Sequence, residues 1–369
     1  LKAIWPKKNL GDDKGELMKI GIIGAGSIGL YLGALLHQSG ATIKFYVRTA
    51  TLNRWKQKQG ENQTLQVHPQ KNKTGHSILW KIREMNFTDD ITELQNLDAV
   101  FVCTKSEAVS DILSQLKILW SLNPQMLVIP WQNGLRASNQ IYSLNPGRVL
   151  RGLVGYNVAQ ISECEYRQTT SGLLYLENGR EDWDKKWVSQ LQQKFAQTEM
   201  TLKQVDNILD WQWSKILLNL NNSINALSGV GLVAELRDRQ YRRCLSLAMR
   251  EAMQLLKAKG IRPPKMAALP FVFVVRLLNL PNFIFLPLAQ GMLKMDKNAR
   301  SSMLDDINAK RPTEVDFING EVVQLAIELG VRANINQKLI ELIRKREEGK
   351  LGPMAGSDIL QEITFSRES

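Results

Sequence analysis

The sequence predicts an α/β domain built on a parallel sheet, followed by an all-helical domain, and three observations carry that prediction. Residues 18–48, "MKIGIIGAGSIGLYLGALLHQSGATIKFYVR", run strand, glycine turn, helix, turn and second strand. Short apolar runs bounded by polar residues recur at "AVFVCT" (99–104) and "MLVIPW" (126–131), the pattern of strands buried on both faces. Beyond about residue 205 the periodicity becomes almost wholly helical. A chain of 369 residues with 44% hydrophobic and 23% charged content is long enough for two such domains, each with its own core. The expected boundaries are 18–205 for the α/β domain and 206–350 for the helical one. Residues 1–17 read as an extension with no continuous apolar core, hence not a signal peptide, and 351–369 as a C-terminal tail.

The glycines of the first turn have distinct tasks. Gly24 permits the tight turn, Gly26 lets the backbone approach a pyrophosphate, and Gly29 allows close helix packing. Ser27 and Ile28 open the helix whose N-terminus then faces the negative charge. These residues make the first domain a Rossmann-like dinucleotide-binding unit. The second strand, about 42–47, ends in Arg48, where an NAD-preferring site often places an acid for the ribose hydroxyls; arginine suits a 2′-phosphate, so NADP(H) is the expected cofactor. Thr49 and Arg54 follow closely and are either helpers or solvated loop residues. The run at 99–104 is followed by Lys105, and that at 126–131 by Gln132, Asn133 and Gly134, which places them at the carboxyl edge where open α/β sheets bind ligands. Lys105 as a plain exposed strand terminus, and Asn133 as a turn residue before glycine, are the simpler readings. Segments within 149–176 read as extended and as completing the sheet, followed by a helix at about 182–197 and a short strand at 201–205.

The helical half opens with "WQWSKILLNLNNSINALSG" (211–229), an apolar stretch carrying one lysine and four asparagines. Asparagine is a poor helix former, so solubility alone is a weak reason for it. At about 100° per residue from Lys215, Asn219 falls near 40° and Asn222 near 340°, while Ile216, Leu220, Ile224 and Leu227 gather on another face. Lys215, Asn219 and Asn222 thus share a narrow polar stripe, either a binding face or a wet one. Further on, Arg311 and Pro312 are expected to begin a long helix with Glu314 on the azimuth of Ile318, Val322 and Leu325. A carboxylate on an apolar face needs a partner, unless it is a first-turn glutamate favoured by the helix dipole. Ser302 reads as an N-cap or a loop hydroxyl. The most apolar stretch, 266–292, is broken by Pro270, Arg276, Pro281 and Pro287, whereas a membrane span needs about 20 uninterrupted apolar residues. Short buried helices or a lid are expected there.

Bulk properties narrow the partners. The net charge of +12 attracts anions, but the basic residues are dispersed, with no zinc-finger spacing and no aromatic and basic repeat of a nucleic-acid module. Cys103, Cys164 and Cys244 are few, odd in number and far apart, as in a reducing cytoplasm. Neither they nor His37, His68 and His76 show ligand spacing, so no metal is expected.

Taken together, "GAGSIG", the Arg48 strand end, "CTK", "QNG", "WSKILLN", "SSMLDD" and "RPTEVDFING" give the sequence a clear resemblance to the ketopantoate reductase (2-dehydropantoate 2-reductase) family over roughly residues 18–345. The resemblance implies Lys215 as general acid at the keto group and Asn219 as a substrate ligand. It also implies that Ser302 and Glu314 contact substrate, with Glu314 in the catalytic and cofactor-binding set, and that Lys105 and Asn133 lie near the nicotinamide and substrate. A second substrate asparagine is Asn222 or Asn225, and helical geometry favours Asn222. The family's P-x-N motif is here Asn334-Ile335-Asn336. The implied activity is NADPH-dependent reduction of a 2-oxo acid, ketopantoate to pantoate in pantothenate and coenzyme A biosynthesis. A same-fold reductase of another keto acid and a catalytically silent NADP-binding sensor are the alternatives. The implied partner is the small 2-oxo acid, with no nucleic acid and no membrane; the exact acid and the oligomer, a homodimer among the options, stay open.

Overall fold

A computed structural model describes residues 18–60, 64–69, 79–83, 85–198, 200–266, 269–293 and 299–365. The extension 1–17 and His76 lie outside the described residues. Around the glycine turn stand β1 (Lys19–Ile23), α1 (Ser27–Gln38) and β2 (Thr42–Tyr46). Next come α2 (Thr49–Gly60), β3 (Leu65–His68), β4 (Trp80–Ile82), β5 (Asn86–Thr88), β6 (Ala99–Val102), α3 (Val109–Leu122), β7 (Leu127–Pro130) and α4 (Arg136–Leu144). Five of these strands form a parallel sheet in the order β5-β2-β1-β6-β7. It is covered on both faces, by α1 through Leu30 and Leu35 and by α3 through Ile112, Leu116 and Leu119. That double burial is why its strands read as unbroken apolar runs.

The extended segments of 149–176 are strands, but they do not simply extend this sheet. β8 (Gly152–Val154), β9 (Val158–Ser162), β10 (Glu165–Gln168) and β11 (Leu174–Glu177) precede α5 (Asp182–Ala196) and β12 (Leu202–Val205). They pair in two smaller sheets, β4-β3-β10-β9 and β12-β11-β8, in which β8 runs antiparallel to β11 and β10 antiparallel to β9. Among the described residues one isolated parallel bridge, Val128 to Val149, joins the segment before β8 to the main sheet.

The helical part comprises α6 (Ile208–Asn219), α7 (Asn221–Ser228), α8 (Leu232–Arg237), α9 (Arg239–Ala258), α10 (Phe271–Leu278), α11 (Asn282–Leu288), α12 (Gln290–Leu293), α13 (Ser302–Asn308), α14 (Asn319–Glu328), α15 (Asn334–Glu347) and α16 (Gly356–Phe365). The amphipathic α9 is its centre, burying Cys244, Ala248, Met249 and Leu256 against neighbours that include Leu217, Leu339, Ile343 and Ile359.

Four expectations change. The stretch 211–229 is two helices, α6 and α7, although Leu220 between them keeps right-handed helical dihedrals and its N–H still bonds Ile216 O, so the stripe geometry carries across. No helix begins at Arg311: Glu314 precedes a single 3-10 turn, Val315–Phe317, and α14 starts only at Asn319, because Thr313 N–H and the Glu314 carboxylate are engaged by distant residues. The supposed tail from 351 contains α16, which buries Ile359 and Ile363 against the helical core. The stretch 266–292 forms short helices, as its prolines require, but only one side is buried: Phe271, Val275 and Phe285 face inward while Phe273, Phe283 and Leu288 are exposed.

Candidate active site

The glycine turn is shaped by sterics. Gly24 has φ +102°, a region costly for any side chain, and its N–H donates to Tyr46 O at 3.0 Å. A Cβ on Gly29 would stand 2.0 Å from Gly24 O, so only glycine lets α1 start this close to the turn. A Cβ on Gly26, by contrast, would meet nothing within 4 Å. That open space lies over the N-terminus of α1, whose first turn holds no acid and has no side-chain cap. The amides of Ser27 and Ile28, which donate to no acceptor among the described residues, stand at a helix N-terminus beside this space and fit a pyrophosphate. Arg48 lies two residues past β2, exposed, where α2 begins.

At the carboxyl edge of the sheet the strand ends are gripped by the helical domain. Lys105, after β6, donates to Asp306 Oδ2 at 2.8 Å and to Pro312 O at 3.2 Å. Asn133, after β7, donates to Glu314 Oε2 at 3.0 Å, and Ser106 N–H donates to Glu314 Oε1 at 3.3 Å. Ser106 Oγ closes the group by donating to Asn133 O at 2.8 Å. Glu314 therefore has its partners, supplied by the other domain. Gly134 takes φ +78° to pass beneath Phe317 O, and the buried Glu321 then accepts from Leu135 N–H and Arg136 N–H at the start of α4.

The second polar group rides on α6 and α7. Lys215 is buried, and burial lowers its ammonium from the usual 10.5 to about 8. Its Nζ donates to Asn157 Oδ1 at 3.2 Å. Asn219 and Asn222 are half-buried, and neither side chain makes a hydrogen bond among the described residues. Asn225 is different: fully buried, it donates to Val230 O at 3.0 Å and to Glu235 Oε2 at 2.5 Å and accepts from Ser301 N–H at 2.9 Å. Its amide holds helices together and leaves nothing for a ligand. The N-cap of α13 is Ser301, which accepts from Leu304 N–H at 3.1 Å, and the hydroxyl of the exposed Ser302 makes no hydrogen bond among the described residues.

Helix α13 connects the two groups, since Ser301 at its start bonds Asn225 and Asp306 further along bonds Lys105. Gln212 on α6 donates to Ser138 on α4, anchoring the lysine helix to the segment that follows Asn133. No direct hydrogen bond joins Lys215 to Lys105, Asn133 or Glu314 among the described residues. Sequence reasoning missed Asn157, Ser106, Asp306 and Glu321, each of which has a partner far away in the chain. The described residues contain no group of three metal-ligating side chains, and Cys103, Cys164 and Cys244 are buried. No helix among the described residues is long and apolar enough to cross a membrane.

Comparison with known proteins matches residues 20–181 to the family model "Ketopantoate reductase PanE/ApbA" and residues 207–347 to its C-terminal counterpart. A 2-dehydropantoate 2-reductase of Pyrococcus horikoshii is 24% identical over 343 residues, 89% of this chain and 98% of that protein. Among solved structures, a PanE/ApbA family ketopantoate reductase from Ralstonia eutropha superposes with a TM-score of 0.72 at 22% identity, covering 90% of this chain and 99% of the other. A D-mandelate dehydrogenase with NADH and anilino(oxo)acetate gives 0.70 at 20% identity, covering 90% and 99%.

Proposed function

The chain belongs to the ketopantoate reductase PanE/ApbA family of NADP-dependent oxidoreductases, and we propose that it reduces a 2-oxo acid with NADPH, specifically ketopantoate to pantoate. The observation that carries the reading is Lys215: a buried ammonium of lowered pKa on a helix face whose adjacent side-chain amides, Asn219 and Asn222, have no hydrogen-bond partner among the described residues.

When bound, the nicotinamide supplies hydride to the keto carbon. The protein must hold the carboxylate, fix the carbonyl and meet the charge that grows on its oxygen. Lys215 Nζ does the last by hydrogen bonding to that oxygen and passing it a proton, and an acid of pKa about 8 is well matched to neutral conditions. Asn219, Asn222 and Ser302 supply donors for the substrate carboxylate and hydroxyl. The open approach at Gly26, with Ser27, Ile28 and Arg48, receives the cofactor phosphates. Lys105, Asn133 and Glu314 form the wall between cofactor and substrate, with Glu314 bracing Asn133 and the Ser106 amide. The chain is further proposed to act as a homodimer, as the ketopantoate reductase of Staphylococcus aureus is described.

The fold is shared with a D-mandelate dehydrogenase, so the acid must be identified by rate. Purified protein with NADPH is assayed against ketopantoate and a panel of other 2-oxo acids. The expected result is a kcat/KM for ketopantoate at least about tenfold above the rest, a difference of about 1.4 kcal/mol in transition-state binding. A higher value for another acid reassigns the substrate, and NADPH binding without any acid-dependent oxidation makes the chain a sensor.

A further inference from the structure

We propose that Asn157 is a positioning residue for the proton transfer: its side-chain oxygen, a neutral acceptor carried by the α/β domain, aims the ammonium of Lys215, which comes from the helical domain. The proposal deepens the reductase reading and rests on it. Asn157 lies between β8 and β9, on the segment directly before Val158, and its side chain is at the surface. Its backbone is pinned: the N–H donates to Thr170 Oγ1 at 2.8 Å, and the C=O accepts from Thr169 N–H at 2.9 Å. An oxygen carried on this pinned backbone, 3.2 Å from Lys215 Nζ, then sets where a flexible four-carbon side chain ends.

The choice of an amide has chemical consequences. A carboxylate at this position would stabilise the ammonium and make it a poorer acid, whereas an apolar group would leave a buried donor unsatisfied. The amide occupies one N–H and leaves the others for the keto oxygen. In the step itself one Nζ–H bond breaks and an O–H bond forms on the former keto oxygen. The electron pair stays on Nζ as a neutral amine, which keeps a second N–H on Asn157 and regains a proton from water.

Of the elements packed on α6, β8 carries no titratable group, β11 carries Tyr175, stacked on Trp211, and Glu177, paired with Arg151 and Arg180, and β12 carries Lys203, whose ammonium lies 4.9 Å from the centre of the Trp211 ring. Tyr156 beside Asn157 is kept neutral by burial, and Asp210 lies upstream on α6 itself. None of these is a hydrogen-bond partner of Lys215 among the described residues, and burial is the sole cause of its shift.

The test is an NMR titration of cofactor-free protein carrying 13C-labelled lysine, with the Lys215 signal assigned by its loss in Lys215→Met. Wild type, Asn157→Asp and Asn157→Leu are compared, with melting curves to confirm folding. The expected midpoint lies near 8 in wild type, rises by about one pH unit or more in Asn157→Asp, and falls in Asn157→Leu. The alkaline limb of kcat should move in the same directions while NADPH affinity stays constant. Unmoved midpoints, or a lower kcat with an unmoved limb, overturn the proposal. If Lys215→Met removes turnover while the Asn157 variants titrate as wild type, only this proposal falls. If the midpoints move but Lys215→Met turns over normally, the reductase assignment of Lys215 falls and the Asn157 contact stands without a catalytic role.

Discussion

The two polar groups of the site differ in how completely they are paired. At the strand ends, Lys105, Ser106, Asn133 and Glu314 all have protein partners, and each hydrogen bond among them except Ser106 to Asn133 crosses from one domain to the other. On α6 and α7, Lys215 has one neutral partner, while the side chains of Asn219 and Asn222 have none among the described residues. Half-buried polar groups left without partners are costly unless something else satisfies them. On the proposed reading the first group holds the domains together and the second does the chemistry, and that contrast can be broken by substituting one member of each.

The largest expected effect is on Lys215. Lys215→Ala should lower kcat about 10²- to 10⁴-fold through loss of the general acid, with NADPH affinity nearly unchanged because the lysine belongs to the helix face rather than the glycine turn. Stopped-flow turnover at saturating substrate, with NADPH binding measured by fluorescence, separates the two. A variant reducing ketopantoate at close to the wild-type rate would collapse the distinction between the groups.

A smaller effect is expected at the cofactor end. Arg48→Asp replaces an exposed cation with an anion where a 2′-phosphate would lie, and should weaken NADPH about 10- to 100-fold while sparing NADH. Equal losses for both cofactors, or a wild-type preference for NADH, would remove Arg48 from the site.

The pairing contrast also explains what could be read in the sequence. The Rossmann-like sheet was legible because burial on both faces writes itself into continuous apolar runs, and because Gly24 and Gly29 are steric necessities of a local turn. The proposed stripe of Lys215, Asn219 and Asn222 rests on a different local rule, the helix period alone. Local rules failed where long-range contacts decide. Pro312 is a sound helix-start signal, yet Thr313 N–H goes to Glu347 and Glu314 to Ser106 and Asn133, so the helix waits until Asn319. Asn157 carries no sequence signal, since its importance lies in a lysine 58 positions away.

Within α7 the contrast narrows to neighbouring asparagines. Asn225→Ala would leave Ser301 N–H without its partner and Glu235, already pushed up to about 8 by burial, with Asn221 but without Asn225, and should cost about 1–3 kcal/mol of stability. Asn222→Ala breaks no side-chain hydrogen bond among the described residues and should leave the melting temperature unchanged while raising KM for the keto acid. Chemical denaturation and steady-state kinetics on both variants decide it. If Asn222→Ala destabilises and Asn225→Ala raises KM, the second substrate asparagine is the buried one.

The smallest expected effect comes from the adjacent serines of α13, and it is the most discriminating because the two side chains are the same. Ser301 caps the helix through Leu304 N–H and is buried, so Ser301→Ala should cost about 1 kcal/mol of stability. Ser302 sits one position on, exposed and with no side-chain hydrogen bond among the described residues, so Ser302→Ala should melt like wild type. Its loss should appear instead as a KM for the keto acid raised about 5- to 10-fold, the equivalent of one hydrogen bond of about 1 kcal/mol. Substrate protection sharpens the reading: saturating NADPH and pantoate should raise the melting temperature of wild type and Ser301→Ala equally, and of Ser302→Ala less, because stabilisation by a ligand follows its affinity for the native state. Equal protection of all three proteins would mean that Ser302 is a solvated surface hydroxyl, and that the free donors of the site end at Asn222.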